Sequence, residues 1–156
     1  MKKLILLFTI LLFGLCSFGA EKLPIKIAPV NDMSTIHDEA EVGDIVEFKI
    51  VRDVIKNDKV FIHEGTKIYG QIDYIKENGW CFDNAQIEFK NFEIIPENGK
   101  ILKFESSLTI DGFEMLQYYY PKWKRGFQYI GSAFRGKEID LANDKDVIFN
   151  IWYNLK

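Results

Sequence analysis

Cysteine is nearly absent from this chain of 156 residues, and its scarcity limits how the fold can be stabilised. Of the two cysteines, Cys16 lies in the apolar N-terminal run, so Cys81 is left alone once that run is removed. An intrachain disulfide is then impossible, and the fold must rest on an apolar core. We expect Cys81, between Trp80 and Phe82, to be a buried and unreactive thiol.

Histidine is equally scarce, and the patterns that mark most catalytic and metal sites are missing. His37 and His63 each precede an acidic residue, but the spacing of three or four convergent zinc ligands is absent. The chain also lacks a phosphate-binding glycine loop, a dinucleotide fingerprint and a nucleophile elbow. Asp111-Gly112 is interpreted as a hairpin turn. We predict a protein that is not an enzyme and that uses no metal or cofactor.

A basic excess is missing as well. The formal net charge is −3, and both basic residues of the first 19 positions are unopposed by acids. The remaining 18 basic and 23 acidic residues give −5. Proteins that bind nucleic acid in general are usually basic overall, so nucleic acid is not predicted as a partner.

The N-terminus carries the clearest single signal in the sequence. Two lysines precede the apolar residues 4–13, and small residues follow at Ser17, Gly19 and Ala20. This order is typical of a Sec signal peptide cleaved near Gly19. We predict a signal peptide over residues 1–19 and one domain over residues 20–156, located in the periplasm or outside the cell.

Two alternatives to a cleaved signal peptide stay open. The run is shorter than the ~20 residues of a spanning helix, which disfavours an uncleaved anchor. Cys16 invites lipidation, but Leu15 stands where a lipobox has a small residue.

Alternation of apolar and polar residues dominates the rest of the chain. Val46, Phe48 and Ile50 share one face, and Glu47 and Lys49 share the other. This period of two recurs along the chain and indicates half-buried strands of an antiparallel sheet. We predict an all-β fold, a small antiparallel barrel or sandwich of seven to eight strands, with one short helix near the C-terminal third.

The alternation also predicts which side chains form the core. Ile68, Ile72 and Tyr74 alternate with polar neighbours in one such segment. The residues expected to point inward together are Val46, Phe48, Ile50, Ile72, Ile87, Phe89, Leu102, Phe104, Phe149 and Ile151.

One segment breaks the pattern. Residues 117–137 hold five basic residues, seven aromatic residues and no acid, so the rest of the predicted mature chain carries a formal charge of −10. Trp123, Phe127, Ile130 and Phe134 follow the spacing of one helical face, which predicts a helix over residues 121–135. Its glycines make it marginal alone, so it needs a surface to lie on.

Two interpretations of this helix stay open, and we favour the first by a small margin. In the first, it is a lid over one end of the barrel, with its aromatic side chains inward and its charges in solvent. In the second, it is a contact surface for an anionic partner or for lipid headgroups. The candidate partner surface comprises Lys122, Trp123, Lys124, Arg125, Phe127, Tyr129 and Arg135.

Residues 43–112 carry a resemblance to a known family. The segments that resemble it are Gly43–Val46, Arg52–Val54, Val60–Thr66, Ile68–Gly70, Ile87–Phe89, Ile94–Pro96 and Asn98–Ile101. Their order is similar to the C-terminal barrel of the TrbI-type scaffold proteins of conjugation and type IV secretion, although His63 stands where that family usually has proline. The resemblance implies an envelope barrel that works by protein–protein contact.

The sequence therefore predicts a non-catalytic, exported envelope protein that acts as a contact or scaffold module. The expected partners are envelope proteins or further copies of the chain, with membrane-surface contact as a further option. The alternative is a barrel that binds a small ligand or a glycan at its mouth. A deep, lined cavity would favour that alternative, and a filled interior would favour the scaffold.

Overall fold

The computed structural model describes residues 22–35, 40–96, 99–141 and 147–154. The predicted signal peptide, His37 and Asn98 lie outside the described residues. The strands are β1 (Lys22–Pro29), β2 (Met33–Ser34), β3 (Ile45–Ile50), β4 (Val54–Lys56), β5 (Lys59–Ile62), β6 (Lys67–Lys76), β7 (Gln86–Ile95), β8 (Leu102–Phe104), β9 (Leu108–Asp111), β10 (Asp140–Leu141) and β11 (Phe149–Asn154). The helices are α1 (Gly112–Tyr119) and α2 (Lys122–Ser132). No helix in these ranges has the length and apolarity needed to cross a membrane.

Seven of the strands form one antiparallel sheet that is nearly closed into a barrel. The order is β11-β1-β3-β6-β7-β8, and β9 pairs with the first half of β7. The two edges of the sheet approach each other at a seam, where the Trp152 amide donates to the Ser106 hydroxyl at 3.1 Å. The Phe104 and Tyr153 rings also meet there, with centroids 5.0 Å apart. The predicted all-β antiparallel barrel is confirmed.

Side chains fill the interior of this barrel. Phe48 and Phe89 pack edge to face with centroids 5.4 Å apart, and Phe92 is fully buried near them. Seven of the ten predicted core residues are buried, and Val46, Leu102 and Phe104 are half-buried and pack against the same core. The alternation therefore identified the inward-facing residues of this core list correctly.

Two irregularities in the β6–β7 pair change which residues face inward. The register shifts after Tyr69, where β7 carries one extra residue, and shifts back after Ile72, where β6 carries one. The first shift contains Asn91, whose φ is 56°. Because a bulge reverses the alternation of side chains, Tyr74 is exposed, although the alternation put it in phase with Ile72.

The predicted hairpin turn at Asp111-Gly112 is also wrong. Asp111 ends β9 and begins α1 as its N-cap, and its carboxylate accepts a hydrogen bond from the Phe113 amide at 2.7 Å. A carboxylate in this position satisfies one of the free N–H groups of the first turn and suits the positive end of the helix. The chain thus contains a helix that periodicity did not predict, directly before the predicted one.

Candidate functional site: the outward face of helix α2

Helix α2 turns its apolar stripe towards solvent. The exposed fractions of Trp123, Phe127, Ile130 and Phe134 are 68%, 72%, 62% and 68%. The helix predicted over residues 121–135 is present but shorter: it runs from Lys122 to Ser132 with Pro121 as the N-cap, and Phe134 follows its end. The predicted lid is wrong, because these are the side chains that it required to face inward.

Polar groups occupy the opposite, inward face of α2. Ser132 is fully buried, and its hydroxyl donates to the Gln128 carbonyl at 2.9 Å. The Ser132 carbonyl accepts from the Phe82 amide at 2.8 Å. At about 100° per residue, Ser132 and Arg125 lie about 170° from the centre of the apolar stripe. The inward face of this helix is therefore polar, and the Phe82–Ser132 hydrogen bond joins it to the neighbouring loop.

Arg125 ties the two helices together. Its Nε donates to the Tyr120 carbonyl at 2.9 Å, and its Nη2 donates to the Gln117 carbonyl at 2.8 Å. These carbonyls are at the C-terminal end of α1, where free C=O groups favour a cationic donor. Arg125, predicted as part of the partner surface, is thus engaged within the fold.

The segment after α2 is fixed to the loop over residues 77–85 by close backbone contacts. The Gly136 amide donates to the Gly79 carbonyl at 2.8 Å, and the Ala85 amide donates to the Lys137 carbonyl at 2.8 Å. A Cβ at Gly136 would lie 1.9 Å from the Asp83 carbonyl oxygen, so only glycine fits there. The helix therefore has a rigid base although its outer face is uncovered.

An ion pair fixes the loop beneath that base. Lys76 on β6 donates to the Asp83 carboxylate. This hydrogen bond, with the nearby negative charge, raises the pKa of the Lys76 ammonium group above its usual value, although desolvation opposes it. The pair joins the loop over residues 77–85 to the main sheet.

Aromatic side chains from this loop and from α1 pack beside the helix. The Tyr129 ring lies 5.3 Å from that of Phe82 and 5.7 Å from that of Phe113, measured between centroids. Trp80 is highly exposed and forms an isolated antiparallel bridge with Arg135. The predicted burial of Cys81 is wrong, because its side chain is exposed in a loop where Cys81 and Phe82 both have positive φ.

Only part of the predicted basic surface is available to a partner. Arg135 pairs with Glu138 at 3.1 Å, and Lys137 donates to the Gln128 side chain at 2.9 Å. Lys122 and Lys124 are exposed and have no acidic partner within the described parts of the chain. The Lys124 Nζ lies 5.1 Å from the centroid of the Trp123 ring.

The stripe and the two lysines form one surface, which we call the α2 outer face. Its members are Lys122, Trp123, Lys124, Phe127, Ile130 and Phe134. Sequence periodicity found the apolar members of this face. It did not show that Arg125 binds carbonyl groups at the end of α1, whereas Arg135 and Glu138 are only three residues apart in sequence.

A second feature is a cleft along the seam of the barrel. Its volume is about 770 Å³, and the rings of Phe61, Phe104 and Tyr153 line it with the side chains of Asn91 and Asn154. A neighbouring depression of about 560 Å³ shares Asn91 and Asn154 and reaches Trp152. Both are open to solvent, whereas the interior of the barrel is filled.

Comparison with known proteins adds nothing to this geometry, since no family model matches the chain and no curated protein matches it.

Proposed function

We propose that this protein is an exported, non-catalytic contact module of the cell envelope and that the α2 outer face is the surface by which it attaches. The observation that carries the proposal is the inverted orientation of α2. A surface helix of a globular protein ordinarily buries its apolar stripe against the core. This helix buries Ser132, half-buries Arg125, and leaves Trp123, Phe127 and Ile130 in water, with Phe134 exposed just after its end.

In that orientation the apolar stripe does not contribute to the stability of the fold by burial. Burial of apolar surface stabilises a protein by about 25 cal/mol for each Å² removed from solvent, and the exposed stripe lacks this stabilisation. Clustered apolar side chains with a polar border mark interaction sites on soluble proteins. A partner that covers Trp123, Phe127, Ile130 and Phe134 would recover this free energy on binding.

The rest of the molecule fits a contact function. The barrel interior is packed with side chains, and such an interior leaves no room for a ligand. The resemblance to the TrbI-type secretion barrel also implies work by contact in the envelope. Under this proposal the chain lies in the periplasm or outside the cell, where envelope proteins, further copies of the chain or the membrane surface are available as partners.

Retention on isolated envelope tests the proposal. The chain from residue 20 is mixed with envelope of the producing cell and sedimented, beside a variant with Phe127→Ser and Ile130→Ser. Both side chains are exposed, so melting should change little, and retention should be lost. The matched control replaces the exposed loop residues Val42 and Ile101 by serine and should be retained. Equal retention of all three proteins would reject the proposal.

The cleft at the seam supports a second candidate function, the binding of a small ligand or glycan. Its volume of about 770 Å³ lies in the range typical of ligand sites. Three rings and two side-chain amides offer both a stacking surface and hydrogen bonds. Calorimetric titration with an N-acetylglucosamine trimer tests it. Binding that Tyr153→Ala abolishes supports this function, and absence of any heat of binding rejects it for this glycan class.

A further inference from the structure

We infer that the α2 outer face binds the headgroup region of an anionic lipid bilayer. The inference rests on the proposed function, since it names the partner of the same surface. Three observations carry it: the shape of the stripe, the position of the two available lysines, and the contrast in charge with the rest of the chain.

The stripe suits a flat partner. Trp123, Phe127 and Ile130 lie within about 40° of the stripe's centre, so one plane can touch these three, and Phe134 is exposed two residues after the end of the helix. The 11 residues of α2 span about 16 Å, too short to cross a bilayer but suited to lying in its surface. Helices that lie in the interface have an apolar face of Trp, Phe and Leu-type residues bordered by Lys and Arg.

The lysines stand at the two borders of the stripe. Lys122 and Lys124 lie about 100° to either side of its centre, at the level that lipid phosphates would occupy if the stripe entered the acyl boundary. Their apolar stems can follow the stripe while the ammonium groups stay in the headgroups. Lys124 already lies over the Trp123 ring, and tryptophan prefers this interfacial layer.

The charge distribution orients the molecule. Residues 117–137 contain no acid, and the rest of the predicted mature chain carries a formal charge of −10. An anionic bilayer attracts the α2 outer face and repels the other surfaces, so the acidic body would stay in water. Glu138, the acid next to this segment, is paired with Arg135.

The same charges disfavour a second copy of the chain as the occupant. Two α2 outer faces in contact would bring the Lys122 and Lys124 groups of both chains together, without an acid on either face to offset them. Like charges in contact are destabilising. An acidic envelope protein is the alternative partner, and the test distinguishes it from a bilayer.

Vesicle sedimentation tests the inference. The chain from residue 20 is mixed with vesicles of phosphatidylcholine alone, and with vesicles that contain about 30 mol% phosphatidylglycerol. We expect binding to the anionic vesicles only. Lys122→Gln with Lys124→Gln should weaken that binding about 30-fold, the equivalent of about 1 kcal/mol per basic residue. Lys22→Gln with Lys59→Gln, which changes two exposed lysines of the barrel, should bind as the parent does.

Depth of insertion is the second measurement. Lipids brominated along the acyl chain should quench tryptophan fluorescence on binding, and Trp123→Phe should remove most of the quenching. Trp152, on the barrel seam, should keep its emission in both proteins.

The results separate this inference from the proposed function. Retention on envelope without binding to anionic vesicles overturns the bilayer as partner and leaves the contact function, with a protein as the partner. Vesicle binding as tight as that of the parent chain in the Lys122→Gln, Lys124→Gln variant, or in the Phe127→Ser, Ile130→Ser variant, also overturns it. If the parent chain binds neither the isolated envelope nor the vesicles, the inference and the proposed function are both overturned.

Discussion

Two glycines around α2 have opposite roles at the scale of single residues. Gly136 is buried, and a Cβ there would clash with the backbone oxygen of Asp83 at 1.9 Å. A Cβ at Gly126, inside α2, would meet nothing within 4 Å. The first glycine is required by close packing, whereas the second only weakens the helix.

Substitution by alanine should therefore move stability in opposite directions. Gly136→Ala should lower the free energy of unfolding by about 1–3 kcal/mol, because the backbone of the 77–85 loop must shift. Gly126→Ala should raise it by up to about 1 kcal/mol, because alanine is the better helix former. Urea unfolding of both variants checks the pair. A neutral Gly136→Ala would mean that the loop does not approach the chain as closely as described.

Arg125 belongs to the scale of the element, since it joins the C-terminal end of α1 to α2. Arg125→Gln should lower the free energy of unfolding by about 1–2 kcal/mol through the loss of two charge-assisted hydrogen bonds. Lys122→Gln and Lys124→Gln should change it by less than about 0.5 kcal/mol, since both side chains are exposed. Thermal unfolding of the three variants would show the difference. If all three substitutions changed the free energy of unfolding equally, the Arg125 side chain would have to be exposed in the same way as the two lysines.

At the scale of secondary-structure elements, the sequence predicted helix α2 but not its orientation. Spacing shows that a helix has an apolar face, but it does not show which face the rest of the fold will cover. The orientation of the helix depends on Ser132 and Arg125, whose hydrogen-bond partners are backbone groups brought into place by the fold. The lid was predicted from the rule that the apolar face of a surface helix is buried. In this structure the polar face of α2 is turned towards the rest of the fold instead.

Helix α1 was missed for a different reason. Asp-Gly is a common hairpin signal, and it stood at the end of a strand pattern. A competing signal was present, because Asp111 followed by Glu114 three residues later resembles the capping box at a helix start. Tyr74 shows a third limit, since a period of two holds only until a bulge inserts a residue. The core of the barrel was predictable because most strands keep that period without interruption.

The whole molecule is stabilised by the filled barrel, and the seam is its weaker side. Phe89 is fully buried, so Phe89→Ala should cost about 3–5 kcal/mol. Phe104 is half-buried at the seam, where water reaches its ring, so Phe104→Ala should cost about half as much. Urea titration of both variants measures the two losses. A larger loss for Phe104→Ala would mean that the seam, and not the interior, holds the sheet closed.

The predicted export would have to leave this barrel intact, and the position of β1 is compatible with that. β1 begins at Lys22 and pairs with both β11 and β3, so removing it would open the sheet in two places. Cleavage after Gly19 stops short of it. Mass spectrometry of protein from the producing cell should therefore find a mature N-terminus at Ala20 or Glu21, and a chain starting at Ala20 should fold cooperatively. A chain that begins at Ile27 should fail to fold, because it keeps the pairing of β1 with β3 but loses all except one residue of its pairing with β11. Intact Met1 in the cytosol would contradict export, and the attachment of the α2 outer face to the envelope would then need another route.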